Sequence, residues 1–181
     1  MDKDYASWAA RWRVPLGFAL AVAYMVFAQP SVLLLTAGGA VALLGLALRA
    51  FAAGCLDKNS ELATCGPYAY TRNPLYLGSL LMGSGLVLAG GSWGLALALF
   101  AFFLLVYYPV IRREEHRLRQ QFGEQYERYA AAVALFFPDG RRAPPSGDKF
   151  RWARYRKNRE YEAAFGLATG LVFLALKLRL R

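Results

Sequence analysis

The sequence predicts an all-α, polytopic integral membrane protein with four to five transmembrane helices. Of its 181 residues, 57% are apolar and 19% are charged, shares that lie above and below those of an ordinary soluble domain. The apolar residues also form five blocks without Asp, Glu, Lys or Arg: Val14 to Ala28, Val32 to Leu48, Leu75 to Ala89, Leu95 to Ile111 and Ala163 to Leu176. Such continuous blocks disfavour a β-barrel, a disordered chain and a disulfide-rich secreted module.

The blocks differ in how well they match the thickness of a membrane. Several fall short of the roughly 20 residues that cross a hydrocarbon core, so flanking residues must extend them. We expect the first four to cross, whereas Ala163 to Leu176 either crosses or folds back. Because Gln29-Pro30 leads directly into the second block, the first is not a cleaved signal peptide. Met1 to Arg13 is therefore expected to remain as an interfacial arm, with Trp8 and Trp12 at headgroup level.

Basic residues lie on one side of the predicted membrane. They precede the first span, separate the second from the third, and follow the fourth from Arg112 through Arg159, whereas the turns at 29–31 and 90–92 are uncharged. The positive-inside rule then places the N-terminus and long loops in the cytoplasm, and the short turns suit a prokaryotic inner membrane. Only Lys177, Arg179 and Arg181 disagree. Beside a bilayer, the net charge of +10 indicates membrane lipids, not nucleic acid, as the partner.

The cysteine and histidine content gives little support for a metal site or a disulfide. Cys55 and Cys65 lie in the segment predicted to be cytoplasmic, where thiols stay reduced, so no disulfide is expected. His116 is the only histidine and no Cys-x-x-Cys pair occurs, so no zinc site is expected.

We expect a single membrane domain over residues 1–181 with three parts. Residues 1–54 form a helical hairpin scaffold whose glycines suit close helix packing, namely Gly17, Gly38, Gly39 and Gly45. Residues 55–138 hold most of the chemically capable side chains. Residues 139–181 form a basic loop, expected against anionic headgroups, and an apolar helix in which Gly166 and Gly170 weakly indicate close packing.

The loop before the third span ends in a helix-start pattern. Gly66-Pro67 predicts a turn, Asn73 is a suitable N-cap, and Pro74 suits the first helical position. The free amides at this helix start, beside Arg72, would suit an anionic group of a ligand. The alternative is a simple helix cap at the membrane surface.

A second polar helix is predicted after the fourth span, beyond a kink at Tyr107-Tyr108-Pro109. It runs from Val110 to Ala134 with one apolar face: Ile111, Leu118, Phe122, Tyr126 and Tyr129. The adjacent Glu114 and Glu115 lie near the membrane exit, where a carboxylate is costly without a partner or a cationic ligand. Neighbouring helix positions point about 100° apart, so at most one of the two is expected to face inward. Candidate partners are Arg72, Arg112 and Arg113.

Two segments together resemble a known family pattern. The first contains Gly66-Pro67-Tyr68 and Arg72-Asn73-Pro74-Leu75-Tyr76; the second, after one hairpin, contains Arg113-Glu114-Glu115, Phe122-Gly123-Glu124-Gln125-Tyr126 and Tyr129. This order resembles the integral-membrane methyltransferases of the isoprenylcysteine carboxyl methyltransferase and phospholipid methyltransferase group, over about Leu62 to Pro138. Many relatives have His where this chain has Asn73, and an amide cannot act as a general base.

The resemblance implies an S-adenosylmethionine pocket at the cytoplasmic membrane face. Arg72 and the amides near Pro74 would meet the carboxylate of this cofactor, and Glu114 or Glu115 its cationic groups. Tyrosines would form the walls. The expected cofactor-binding residues are Tyr68, Tyr70, Arg72, Asn73, Pro74, Tyr76, Glu114, Glu115 and Tyr126.

The resemblance also implies methyl transfer to a lipid-like or isoprenylated acceptor that enters from the bilayer. A carboxylate acceptor needs a cation for positioning, either Arg72 or Arg113, whereas an amine needs a base such as Glu115. These three are the expected catalytic residues. The identity of the acceptor, O- against N-methylation and the oligomeric state stay open.

Two other function classes compete with this one. An NADPH-dependent membrane reductase, related to the sterol reductases, would also place a nucleotide at the cytoplasmic side. In a non-catalytic membrane scaffold, the Glu pair would only balance Arg112 and Arg113. A transporter is disfavoured, since no charged residue lies within the apolar blocks.

Overall fold

The computed structural model describes residues 3–57, 61–144 and 149–180, and within these ranges the chain is helical without a β-strand. The expected all-α, polytopic membrane fold is confirmed. Parts of the predicted segments, including Met1, Lys58, Pro145 to Gly147 and Arg181, lie outside the described residues. The helices are α1 Lys3–Phe27, α2 Val32–Cys55, α3 Pro74–Gly90, α4 Trp93–Phe102, α5 Tyr108–Phe122, α6 Glu124–Ala132, α7 Trp152–Lys157 and α8 Tyr161–Arg179.

Four stretches of described helix are long and apolar enough to cross a membrane: Tyr5–Phe27, Val32–Cys55, Trp93–Phe122 and Tyr161–Arg179. The last apolar block, for which both a crossing and a fold-back were left open, extends to a helix of 19 residues. Helix α3 is short at 17 residues, because Pro74 begins it and left-handed Gly91 (φ 59°) ends it. The expected interfacial arm is the first part of α1, which runs unbroken through Pro15.

Helices α2 and α3 pack backbone to backbone along a seam of glycines. A Cβ atom on Gly38 would lie 2.4 Å from the Ala89 nitrogen, and one on Gly45 would lie 2.5 Å from the Met82 nitrogen. Gly38 and Gly45 therefore have the close-packing role that we expected. Gly39 does not, since its nearest neighbour is a leucine side chain at 3.8 Å. Gly166 likewise makes no close approach, with nothing within 4 Å of its Cβ position.

The predicted single helix from Val110 to Ala134 is wrong, because it breaks at Gly123. This residue adopts φ 50° and ψ −125°, which ends α5 and starts α6 in a new direction. Next to the kink expected at Tyr107-Tyr108-Pro109, the helix contains a π-helical turn over Phe103–Tyr107. The break at Gly123 directs α6 back over the end of α5.

The C-terminal part docks on the ends of α1 and α2. The amide of Arg151 donates to the Gly54 carbonyl at 2.9 Å, and the Asn158 side chain donates to the carbonyls of Ala53 and Leu56. At the far end of α8, the Lys177 ammonium donates to the Met25 carbonyl at 2.8 Å. Helix α8 therefore runs the height of the helical bundle and does not fold back on itself.

Cys55 and Cys65 form a disulfide, so the expectation of unpaired thiols is wrong. The turn at Gly66, whose φ is +55°, returns the chain to the end of α2. There the two Cα atoms lie 5.8 Å apart, within the range that a disulfide bridges. The bond closes the loop that holds Asp57 and Glu61.

Candidate functional site

A cavity of about 410 Å³ lies where the segment before α3 meets α5 and α6. Helices α1, α2 and α3 and the start of α8 also contribute to its walls. Its described lining combines charges of both signs with tyrosines. The charged residues are Arg13, Arg49, Arg72, Arg117, Asp57, Glu61, Glu114, Glu115 and Glu160.

The segment before α3 is held by the chain that follows α6. The Arg72 amide donates to the Ala134 carbonyl at 2.9 Å, and the Thr71 hydroxyl donates to the Phe136 carbonyl at 2.7 Å. Asn73 is the N-cap residue of α3 as expected, but its side chain makes no capping bond and donates instead to the Leu135 carbonyl at 2.9 Å. One backbone and two side-chain donors of the first motif thus bind the carbonyls that follow the second motif, and Arg72 faces α5 from a fixed position.

Glu115 is buried and accepts from three donors. The Arg72 and Arg112 guanidinium groups each lie 2.9 Å from one of its carboxylate oxygens, and the Tyr126 hydroxyl donates to it at 2.9 Å. Its side chain is only 5% exposed, so the carboxylate depends on these partners in place of water. Glu115 therefore holds Arg72 in place and has little remaining capacity for a ligand.

Glu114 also lines the cavity, with more capacity for a ligand. Tyr76 donates to its carboxylate at 2.9 Å, which leaves further acceptor positions of the carboxylate for other donors. The Tyr76 ring packs edge-on against Tyr107 at 5.7 Å, and both rings line the cavity. We expected at most one of the two glutamates to face inward, but both contact the cavity.

Three buried tyrosines support the wall formed by α6. The Tyr129 hydroxyl donates to the Tyr68 carbonyl at 2.7 Å, and its ring packs edge-on against Tyr126. Burial raises the pKa of the Tyr126 hydroxyl, and the neighbouring Glu115 carboxylate raises it further. Burial likewise raises the pKa values of Tyr68 and Tyr129, with Glu114 contributing at Tyr68. All three hydroxyls are therefore neutral near pH 7.

The cavity lining also holds a charged pair that the sequence did not predict. Arg49 on α2 makes a two-pronged ion pair with Glu160, its Nε and Nη2 lying 3.0 and 2.7 Å from the two carboxylate oxygens. Arg49 also donates to the Ser79 hydroxyl on α3. The hairpin of residues 1–54, expected to be only a scaffold, thus supplies Arg13 and Arg49 to the cavity.

The cavity brings together eight of the predicted site residues and leaves two elsewhere. Arg113 is exposed and does not line it. Tyr70 is 44% exposed, lies against the Arg142 guanidinium at 5.0 Å, and faces a second, more open groove. The eight that do line the cavity are Tyr68, Arg72, Asn73, Pro74, Tyr76, Glu114, Glu115 and Tyr126.

The family described as phospholipid methyltransferase matches residues 18–125, more than half of the chain. The chain belongs to the phospholipid methyltransferase family. The matched range begins within α1 and ends just after the Gly123 break, so it contains Arg72, both glutamates and most of the cavity wall. Tyr126, Tyr129 and Glu160 lie beyond it.

Two curated relatives match a shorter stretch. The nickel-cobalt-cadmium resistance protein NccN of Alcaligenes xylosoxydans xylosoxydans is 41% identical over 81 residues, 45% of this chain and 38% of that protein. The cobalt-zinc-cadmium resistance protein CzcN of Cupriavidus metallidurans is 40% identical over 81 residues, 45% of this chain and 37% of its own length. The matches thus cover less than two fifths of either relative. No solved structure matches this chain.

Proposed function

We propose that this chain is an S-adenosylmethionine-dependent methyltransferase that acts on a lipid-like or isoprenylated acceptor at the cytoplasmic membrane face. The observation that carries the proposal is the cavity itself. It is built largely from the segment that matches the family, and it presents Arg72, Glu114 and tyrosine rings within one enclosed space.

The chemistry of the lining fits this cofactor, which carries a carboxylate, an ammonium and a sulfonium. Glu114 can accept from a cationic group through the acceptor positions that Tyr76 leaves open. The Arg72 Nε atom is buried and has no acceptor among the described residues, an arrangement that a ligand anion would complete. The Tyr76 and Tyr107 rings can flank an adenine or a sulfonium.

When bound, the cofactor supplies a methyl group on a sulfonium that is a good leaving group. The residues of this chain therefore need to align the acceptor and exclude water, not to form a covalent bond to it. With the cofactor held there, the acceptor lone pair would form the new bond to the methyl carbon as the carbon–sulfur bond broke, and the electrons of the broken bond would stay on sulfur. An amine acceptor would also release one proton, and Glu114 is a cavity carboxylate that can accept it, since Tyr76 occupies one of its acceptor positions.

The acceptor is proposed to arrive from the membrane. The helices that enclose the cavity include apolar spans with exposed outer faces. Exposed apolar side chains on these faces include Phe18, Leu44 and Phe165. A lipid tail is most stable in the hydrocarbon that surrounds such faces, while its headgroup reaches the polar cavity. The positive-inside pattern of Lys and Arg supports a cytoplasmic position for this end of the bundle.

The charge of the lining favours this cofactor over NADPH. The described lining has four arginines and five carboxylates, and S-adenosylmethionine carries one net positive charge, whereas the phosphates of NADPH carry several negative charges. A non-catalytic scaffold would need no cavity with an unpaired buried donor such as Arg72 Nε.

The proposal is tested by calorimetric titration of the detergent-purified protein with S-adenosylmethionine, S-adenosylhomocysteine and NADPH. We expect micromolar binding of the first two and none of NADPH. Glu114→Gln should weaken binding at least tenfold, whereas Glu124→Gln, a glutamate 93% exposed on α6, should not change it. Tight binding of NADPH alone would favour the reductase, and no binding by folded protein would refute the proposal.

A further inference from the structure

The Arg49–Glu160 pair is a largely buried ion pair that the proposed function does not use. Arg49 comes from α2, Ser79 from α3, and Glu160 precedes α8, so three helices meet at one corner of the cavity. The side chains of Arg49 and Glu160 are 22% and 8% exposed. We refer to Arg49, Ser79 and Glu160 as the α8 corner.

A stability role alone is a weak explanation for the α8 corner. Desolvation of two charges largely offsets their attraction, and apolar replacements of buried pairs are often as stable or more stable. Ionisable groups at membrane depth usually contact a partner, a water-filled cavity or a substrate. The pair lines the same cavity as Tyr68 and Glu114. The α8 corner and Glu114 therefore share one compartment.

The α8 corner has open hydrogen-bond acceptors but few open donors. Arg49 has five N–H groups, and four bonds to Glu160, Ser79 and the Leu75 carbonyl engage its Nε, Nη1 and Nη2 atoms. The Ser79 hydroxyl donates to the Leu75 carbonyl at 2.9 Å, so it has no further donor. Glu160 has about four acceptor positions, and Arg49 occupies two of them. The corner thus offers acceptors to the cavity and almost no donors.

We propose that the α8 corner binds the acceptor headgroup, and that Glu160 accepts a hydrogen bond from an amine or ammonium of that headgroup while Arg49 and Ser79 hold its carboxylate in place. A carboxylate headgroup would meet the Glu160 charge with a single Arg49 N–H left to bind it. This inference rests on the proposed function and assigns the residues that recognise an amine headgroup. It also assigns α8, which lies beyond the matched range, a direct part in the site.

The test compares two probes of equal chain length, dodecylamine and dodecanoate, on the full-length protein in detergent at pH 7. Radiolabelled probe is measured by equilibrium dialysis against protein-free micelles, and S-adenosylhomocysteine affinity is measured by calorimetry on the same samples. Wild-type protein should bind dodecylamine at least tenfold more tightly than dodecanoate. Glu160→Gln should lower dodecylamine affinity at least tenfold and change S-adenosylhomocysteine affinity less than twofold.

Glu162→Gln is the matched control, because Glu162 lies two positions away, is 56% exposed and pairs with Arg159 outside the cavity. It should leave both affinities unchanged. Equal or tighter binding of dodecanoate to wild-type protein would overturn the inference. This comparison uses wild-type protein alone, so it does not depend on whether a variant folds. Unchanged dodecylamine affinity in folded Glu160→Gln would also overturn it. If folded wild-type protein did not bind S-adenosylhomocysteine, that result would refute the proposed function separately.

Discussion

Replacement of Glu115 by Gln tests the ion pair that links Arg72, in the segment before α3, to helix α5. The substitution keeps the shape of the side chain but removes its charge, and it leaves the Arg72 guanidinium, 12% exposed, without a counterion. Breaking a buried pair of this kind costs about 3–5 kcal/mol, and the amide oxygen still accepts one bond, so we expect a loss of about 3 kcal/mol. For a chain of this size that corresponds to a Tm lower by about 6–12 °C.

The assay is thermal unfolding in detergent, followed by circular dichroism, with Glu124→Gln as the control. Glu124 and its partner Arg128 are 93% and 80% exposed, so the control should lose less than about 0.5 kcal/mol. The double variant Arg72→Met with Glu115→Gln should be more stable than the sum of the single losses predicts, by about 1–3 kcal/mol. A Glu115→Gln Tm within 2 °C of the control would refute the reasoning, since that carboxylate would then not hold Arg72.

Three further predictions concern the seam, the disulfide and the tyrosines. Gly38→Ala should lower the free energy of unfolding by about 1–3 kcal/mol, because its Cβ would lie 2.4 Å from the α3 backbone. Gly39→Ala should be neutral or stabilising. Equal Tm values for the two variants would contradict the close packing of α2 on α3. Mass spectrometry should find Cys55 and Cys65 unalkylated when the reagent is added before reduction and alkylated when it is added after reduction. Reduction should lower the stability by about 3 kcal/mol. Alkylation of both cysteines without reduction would contradict the disulfide. Since the pKa values of Tyr68, Tyr126 and Tyr129 are raised in the folded state, the unfolded state loses these protons first, and stability should fall above about pH 10. Tyrosinate absorbance at 295 nm should show these three titrating only on unfolding; early titration would contradict their burial.

The predictable part of the fold was the part that local composition determines. Each charge-free apolar block became a helix, and the Asn73-Pro74 pair correctly marked the start of α3. The break at Gly123 was missed because one glycine within a regular apolar pattern is compatible with a continuous helix. The short length of α3 follows from local signals as well, since the predicted start at Pro74 and the predicted turn at 90–92 bound a helix of 17 residues.

The site residues that could be predicted were those within the two contiguous sequence motifs. Arg72 and Glu115 were expected near one another, and they lie 2.9 Å apart. Arg49 and Glu160 are separated by 111 positions in the chain, so no local spacing indicates their pairing. Tyr70 was misplaced because it follows the 3₁₀ turn over Gly66–Ala69 and lines a different cavity from Tyr68, which residue types alone do not reveal.

The most direct test of the central claim is methyl transfer in lipid nanodiscs. Purified protein is incubated with methyl-tritiated S-adenosylmethionine and phospholipids extracted from the expression host, and label in the organic phase is counted for wild type, Glu114→Gln and Glu124→Gln. We predict labelled lipid with wild type and Glu124→Gln, and at least a tenfold lower rate with Glu114→Gln. Equal label in all three samples would contradict the role of the cavity, and no label above that of protein-free nanodiscs would contradict methyl transfer to these lipids.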